Sequence, residues 1–519
     1  MSDERSLEAP SRKASRRAGG RAARIALRAQ KLDDATRPVR PGLTGGQYRP
    51  LSDADVRRIH SAALDALEEI GLADAPSASA ERMVSAGAIR GEDGRIRFPR
   101  ALVEDMLGLA AKDIVLHARN PAHDLALSDR RVYFGTAGAA VHIVDCETGH
   151  YRESTARDLL DAARIVETLD NVHFFQRPLV ARDIPDNTDL DINTIYACCA
   201  GTTKHIGTSF CGVESLPPSM ELLHLIAGGE QAWRERPFVL NTNCFVVPPM
   251  KFATESCEVM EVCIEAGMPV LLLSAGQAGA TAPAPLATAI VQAVAECLAG
   301  VVFVNTLSPG HPAVFGTWPF VSDLRTGAMS GGSGEQALLS AACAQMHQFY
   351  GLPGGAAAGM ADAKLPDMQA GWEQAISNTM AGLSGLNMVY EAVGMHASLL
   401  GFSFESLVLG DDMLGQVLRC IRGIDVTDET IGIDAMREVC LGGPGHYLGH
   451  GQTLSIMQSE YVYPRLADRT SPKEWEANGR PELITGAATR VREILASAPE
   501  TTLAADLDDR IRGRFNIVV

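Results

Sequence analysis

TESCEVMEVCIEAGMPVLLLS, residues 254–274, reads as one helix followed by one buried strand. The helix over 254–266 stops at Gly267, Pro269 follows, and Val270–Ser274 is a short apolar run. A glycine just past a helix end with a proline soon after is a stop signal with a physical basis, because glycine tolerates the left-handed cap and proline cannot continue the helix. The same unit recurs on both sides. Helices are predicted over 155–169, 192–200, 218–227, 285–299 (stopped by Gly300), 335–350 (stopped by Gly351) and 369–383. Apolar runs fall at 173–180, 205–211, 238–247, 270–274, 313–320, 352–358, 388–392 and 406–409, which makes eight. Repeated βα alternation favours a parallel sheet, and eight units are what a (β/α)8 TIM barrel requires. No GxGxxG follows an early strand, and the glycines of GGSGE (331–335) have no strand before them and no GK[ST] after, so this cluster reads as a helix-entry loop.

The rest of the chain frames that barrel. Residues 1–44 form a basic arm expected to be disordered: residues 1–40 hold eleven Lys or Arg against five Asp or Glu. Residues 45–154 read as a small α/β layer, opened by a helix over 51–70 that Ser52 caps with Asp55 three residues on. The barrel is assigned to 155–465 and a helical extension to 466–519. The whole chain of 519 residues carries a net charge of −17, a poor balance for gripping nucleic acid. No long uninterrupted apolar run suggests a membrane span, and the amino terminus lacks the apolar core of a secretory signal. Eleven irregularly spaced cysteines suggest reduced thiols in a cytoplasm. Neither CxxC nor HExxH occurs, so no metal site is expected. A barrel of this size is expected to form a homo-oligomer.

In a parallel barrel the chemistry lies at the carboxyl ends of the strands. The residues there are read as Gln176 and Arg177, 208–211, 241–245, Ser274 and Gln277, Thr317, Trp318 and Phe320, Asp362 and Lys364, Glu391, and Asp411 and Asp412. Aromatics, amides and a few carboxylates dominate, with no Ser-His-Asp set. Such an inventory suits a cation that donates no hydrogen bond, held by ring faces, for which tryptophan is the best. Trp318 and Phe320 stand out in a chain with 5% aromatics, although packing at the barrel rim accounts for them equally well. Lys204 and Lys364 also fall in predicted active-face segments, as substrate anchors or rim ion pairs. GGPGHYLGH (442–450) is too rich in glycine and proline for a helix and reads as a loop presenting His446 and His450 to a cleft, or simply as a structural loop.

Several long segments resemble the corrinoid-dependent trimethylamine methyltransferase family: VYFGTAGAAVHIVDCETG (132–149), DNVHFFQRPLVARDIPD (170–186), AGTTKHIGTS (200–209), AGQAGATAPAPLA (275–287), FGTWPFVSDLRTGAMSGGSGE (315–335), YGLPGGAAAGMADAKLPDMQAG (350–371) and GPGHYLGHGQTL (443–454). The likeness runs over residues 45–490. It implies a barrel that moves a methyl group from a methylated amine to the cobalt of a separate corrinoid protein, with no cofactor bound tightly by the chain itself. Archetypal members carry pyrrolysine in the barrel. Here the neighbourhood of Gly354–Gly359 holds only standard residues, which resembles the branch that demethylates quaternary amines such as glycine betaine. A quaternary nitrogen leaves as a neutral amine without a proton, so alignment matters more than acid–base chemistry. On this reading Trp318, Phe320, Phe245 and Tyr133 surround the trimethylammonium group. Lys204, His205, Gln277 or Arg325 binds a remote carboxylate. Asp362 and Glu335 bias the cavity toward cations, and His446 and His450 lie near the corrinoid entry or the substrate. Two other readings stay open: a non-catalytic betaine-binding barrel, and a lyase or aldolase using Lys204 or Lys364 as a Schiff base.

Overall fold

The computed structural model describes residues 37–146 and 148–519, so most of the basic arm expected at 1–44 lies outside the described residues. The described chain forms two units: residues 41–421 with 465–519, and residues 422–464 with those up to 40.

The larger unit is a (β/α)8 barrel. Its strands are β1 (Arg131–Phe134), β2 (Phe174–Gln176), β3 (His205–Thr208), β4 (Val239–Asn241), β5 (Val270–Ser274), β6 (Ala313–Thr317), β7 (Gly354–Ala357) and β8 (Met388–Tyr390). The helices that follow them are α1 (Ala156–Glu167), α2 (Asn187–Gly201), α3 (Leu216–Ala227), α4 (Thr254–Glu265), α5 (Leu286–Leu307), α6 (Gly334–Tyr350), α7 (Met368–Ser384) and α8 (Phe404–Arg422). Every neighbouring pair from β2 round to β1 is parallel. A parallel bridge between Gly135 and Phe174 closes the ring, where the His173 N–H donates to the Phe134 carbonyl at 2.6 Å.

The count of eight holds, but the identity of one strand does not. Residues 406–409 lie inside α8, and the strand missing from the sequence reading is β1. The reason is periodicity. Leu407, Asp411, Leu414, Leu418 and Ile421 are buried at helical spacing, and a four-residue apolar run at the head of such a helix cannot be told from a strand. Asp411 and Asp412 therefore follow no strand. Asp411 accepts from the Asn171 N–H, and Asp412 from the N–H groups of Arg465, Leu466 and Ala467.

Gly300 does not stop α5, which runs on to Leu307. A Cβ on Gly300 would lie 2.7 Å from the Phe245 ring and 3.1 Å from Leu272, so the glycine makes room for β5 and the chain after β4 to press against the helix. α5 is 22 residues long and apolar enough to cross a membrane, yet 83% of its most apolar window is buried. The amino-terminal helices Asp53–Glu69 and Arg100–Leu109 pack across its outer side, so it is enclosed on both faces and apolar all round. Ser52 caps the first of these helices in a capping box with Asp55.

The two ends of the barrel differ. The antiparallel hairpin of Ile114–Leu116 and Leu125–Leu127 lies against the amino ends of the strands. There Tyr133 donates to the Ala126 carbonyl, His205 meets the His117 carbonyl, and Arg236 pairs with Asp124. Short extensions wall the carboxyl end. Gln277–Ala278 pairs with Phe320–Val321 above β5 and β6. Met395–His396 and Gly401–Phe402, after β8, join His142–Val144 and Tyr151–Glu153, after β1, in one four-stranded sheet.

At the carboxyl terminus, helix Leu483–Ser497 packs on α1, and Arg164 donates to the carbonyls of Leu495, Ala498 and Pro499. The terminal tail is stapled to Asn193 of α2 through Asn516 and Val518. In the smaller unit, Arg422 pairs with Asp425 and Glu460, and the short helices Ile433–Cys440 and Gly451–Ile456 flank the glycine-rich loop.

Candidate active site

Inside a barrel this narrow, large inward side chains need small neighbours. A Cβ on Gly135 would meet the Phe174 ring at 2.4 Å, one on Gly355 would meet Tyr390 at 2.6 Å, and one on Gly207 would collide with the Gln176 amide. Phe174 and Tyr390 thus lie across adjacent strands inside the ring, and Gln176 reaches over β3 to donate to Thr242 Oγ1 at 2.7 Å. Trp318 follows β6 and stacks on Tyr390 with ring centroids 4.9 Å apart and planes 42° apart. Phe174 meets Tyr390 edge-on at 5.1 Å, and Phe320 meets Trp318 edge-on at 6.5 Å. Four rings from β2, β8 and the loop after β6 therefore form a continuous aromatic wall toward the carboxyl end.

Several buried polar atoms find no partner among the described residues, among them Trp318 Nε1 in the wall itself, Gln176 Oε1 at the end of β2, and both carboxyl oxygens of Glu391, the residue directly after Tyr390. Their side chains belong to residues at most 6% exposed. Buried polar groups in proteins are almost always paired, so orphans that follow barrel strands are candidates for ligand contact. Glu391 comes directly after Tyr390 with its backbone in the left-handed region (φ 59°), which costs energy for a residue with a side chain. Burial alone pushes its carboxyl up to about 8, so near neutral pH it is mostly the uncharged acid.

Trp318 and Phe320 thus stand where the sequence placed them. The other expected site residues are elsewhere. Phe245 is buried against α5, where its ring fills the space left by Gly300, outside the barrel. Tyr133 is the third residue of β1, and its hydroxyl donates to the Ala126 carbonyl of the hairpin. Lys204 precedes β3, also at the amino end, and its ammonium donates to the carbonyls of Val166, Leu169 and Val172 at 2.5–2.7 Å. All three of its protons are committed, so it caps the end of α1 and is no Schiff-base nucleophile. Burial pushes it down to about 8. His205, the first residue of β3, has Nδ1 2.6 Å from the His117 carbonyl, and burial lowers it to about 4.

Gln277 sits in the wall above β5 and donates to Ser322 Oγ at 2.8 Å. Arg325 is 88% exposed on a rim turn and forms a two-pronged pair with Asp323. Glu335 is exposed in the first turn of α6. Asp362 is occupied as a latch between rim loops: it accepts from the Gly331 N–H at 2.7 Å, from Ser330 Oγ at 2.8 Å and from Ser398 Oγ. Lys364 is exposed, its ammonium donating to the Asp362 carbonyl. His446 and His450 belong to the smaller unit. His446 is exposed, while His450 accepts from the Gln452 N–H as a helix cap and lies 3.1 Å from Glu438.

A family model described as trimethylamine methyltransferase (MTTB) matches residues 17–516. The chain belongs to that family. It is 29% identical to the trimethylamine methyltransferase MttB of Desulfitobacterium hafniense strain DSM 10664 / DCB-2, over 86% of this chain and 88% of the relative. It is also 29% identical to the glycine betaine methyltransferase of D. hafniense strain Y51, over 90% of this chain and 96% of the relative. Among solved structures, the Methanosarcina barkeri monomethylamine methyltransferase (MtmB) superposes with a TM-score of 0.51 at 12% identity, covering 91% of this chain and 92% of that one. That likeness concerns the fold. As a member of the trimethylamine methyltransferase family, the chain is a methyltransferase.

The barrel explains which candidate residues the sequence did not single out. Phe174 and Tyr390 sit inside apolar runs, where nothing separates an inward ring from one packed on a helix until strand alternation is known. Glu391 and Arg177 did stand at predicted strand ends. The signal that singles them out, a buried polar atom without a partner, belongs to three dimensions.

Proposed function

We propose that this methyltransferase takes a methyl group from a quaternary methylated amine of the glycine betaine type and delivers it to the cobalt of a corrinoid carried by a separate protein. The observation that carries this reading is the wall of Trp318, Tyr390, Phe174 and Phe320, with the buried, unpartnered Glu391 directly after Tyr390 in the chain. Ring faces bind a fixed cation that has no N–H to offer. Glu391 supplies the balancing charge once that cation displaces its proton.

The reduced corrinoid brings the nucleophile. The chain's own residues hold and orient the donor. The rings fix the position of the trimethylammonium head, and the enclosed barrel interior excludes water from it. Alignment of this kind accounts for roughly 7–11 kcal/mol of a barrier in favourable cases. After transfer the amine is neutral, its attraction to the Glu391 carboxylate is gone, and the product leaves more readily than the substrate does. A cytoplasmic setting agrees with eleven free cysteines.

The test mixes the protein with reduced free cob(I)alamin and a panel of glycine betaine, carnitine, choline and trimethylamine, and follows the visible spectrum. Methylcobalamin formed with a quaternary amine supports the proposal. Binding of these amines without any methylation of cobalt leaves a binding barrel instead. Failure of every quaternary amine to bind ends the reading of the ring wall as a cation site.

A further inference from the structure

Gln176 faces the inside of the barrel with half of its amide unused. Two contacts fix that facing. Phe174 of β2 reaches Tyr390 of β8 across β1, over Gly135. Gln176, two residues on, reaches Thr242 after β4 across β3, over Gly207. Contacts that skip a whole strand over a glycine run through the interior of the ring. Side chains two residues apart on a strand also share a face, and here their Cα atoms lie roughly 6–7 Å apart. The Gln176 amide and the ring wall therefore line one interior, with Phe174 as their common neighbour.

The amide is only half satisfied. Its Nε2 donates to Thr242 Oγ1 at 2.7 Å, while Oε1 has no partner among the described residues. Both residues are buried, Gln176 at 6% exposed and Thr242 at 7%. Thr242 Oγ1 is the acceptor in that bond, so its own proton is left for a third group. The corner thus offers one acceptor, Gln176 Oε1, and one donor, the Thr242 O–H, and neither carries a charge. A buried acceptor left unmet is costly, and a ligand that meets it recovers that cost. A hydroxyl uses both atoms at once: it donates to Gln176 Oε1 and accepts from Thr242. A carboxylate only accepts and would set its charge against Oε1. An alkyl tail leaves both atoms unmet.

We infer that Gln176 and Thr242 form the specificity corner of the site, which reads a hydroxyl on the second carbon from the quaternary nitrogen, a group that choline and carnitine share and glycine betaine lacks. The ammonium half of this inference rests on the proposed function. The hydroxyl half stands on the Gln176–Thr242 pair. Neither residue is among those the sequence put forward as tail anchors, and of these Lys204, His205 and Arg325 have their donors committed or lie elsewhere.

Calorimetry on the full chain tests it with five small probes. They are choline; propyltrimethylammonium, which has a methyl in place of the choline hydroxyl; carnitine; glycine betaine; and 3,3-dimethylbutan-1-ol, which has carbon in place of the choline nitrogen. The wild-type chain is expected to bind choline about 10-fold more tightly than propyltrimethylammonium, the worth of two neutral hydrogen bonds. Gln176→Leu is expected to erase that preference and to weaken carnitine by a similar factor, while glycine betaine and propyltrimethylammonium stay within about twofold. Thr242→Val, nearly the same shape without the hydroxyl, is expected to lose part of the preference and carries the decision should the leucine variant fail to fold. Equal wild-type affinity for choline and propyltrimethylammonium overturns the inference. So does a leucine variant that weakens all ammonium probes alike, or one that weakens glycine betaine as much as choline, which makes the corner a carboxylate site. Binding of 3,3-dimethylbutan-1-ol that depends on Gln176, with no ammonium compound bound, sinks the cation reading and leaves the hydroxyl corner standing.

Discussion

Trp318 is the residue on which the ammonium half turns. Its indole bridges Tyr390 and Phe320, and its N–H is free. Trp318→Ala is expected to weaken binding of a quaternary amine about 30-fold, matching the ~2 kcal/mol of a desolvated cation–ring contact, and to lower the melting temperature as well, because the ring is buried against Tyr390 and Phe320. Isothermal titration and a thermal scan of the same samples check both halves. Glu391 makes a prediction about pH. Its carboxyl in the folded, empty protein sits at about 8, against an ordinary 4.5. Cation binding favours the ionised form and so releases a proton. Affinity for a quaternary amine is expected to rise with pH by up to about tenfold per unit until pH 8 and then level off. Glu391→Gln removes that slope. The sign for stability is opposite: the raised carboxyl contributes fully below pH 4.5, and that contribution is lost as pH climbs to about 8. The Gln variant is therefore expected to gain in melting temperature over wild type as pH rises across that window.

Among the elements, α5 and the strands beneath it are fitted closely. Gly300 leaves 2.7 Å between an added Cβ and the Phe245 ring, and Phe245 is itself fully buried. Gly300→Ala is expected to cost about 1–3 kcal/mol by overpacking, although alanine is the better helix former, and chemical denaturation measures the difference. The rim around the mouth is held in a different way. Ala397, Ser398 and Leu399 are three successive residues in the left-handed region, with φ of 49°, 49° and 78°. They stay there because the Ala397 and Ser398 N–H groups donate to the carbonyls of Ala363 and Ala361, and the Ser398 hydroxyl donates to the Asp362 carboxylate. Asp362→Asn is expected to loosen the rim loops at 330–331 and 398 while leaving the barrel intact, seen as faster amide exchange confined to those loops. A residue expected from the sequence to attract substrate is thus the knot between three loops. Carboxylates at predicted strand ends look alike in one dimension whether their oxygens face a ligand or a serine.

For the molecule as a whole, the sequence carried the architecture well and the site unevenly. Seven of the eight strands and the helices between them were legible because glycine and proline punctuate the βα units. β1 was not, since Arg131–Phe134 is a short strand with no helix directly before it, while residues 406–409 offered an apolar run that α8 uses for its own buried face. Trp318 and Phe320 were placed at the carboxyl end of the barrel because they follow a readable strand. Lys204 and His205 were misplaced because a residue just before a strand and one just after it differ by a few positions in the sequence, yet lie at opposite ends of the barrel. The terminal tail adds a global constraint. Asn516 and Val518 hold Asn193, and Asp508 and Arg512 hold Tyr196, all on α2. Removal of residues 505–519 is expected to lower the melting temperature measurably, because it uncovers α2 and strips these buried groups of their partners.

The seam between β1 and β8, where Tyr133 pairs with Met388, sets the timetable for synthesis. A nascent chain emerging from the ribosome carries β1 long before its neighbour exists, so the first strand must wait with a bare edge while six others are translated. Until the eighth is made, Phe174 has no Tyr390 to meet, and nothing able to grip substrate is present on an unfinished polypeptide.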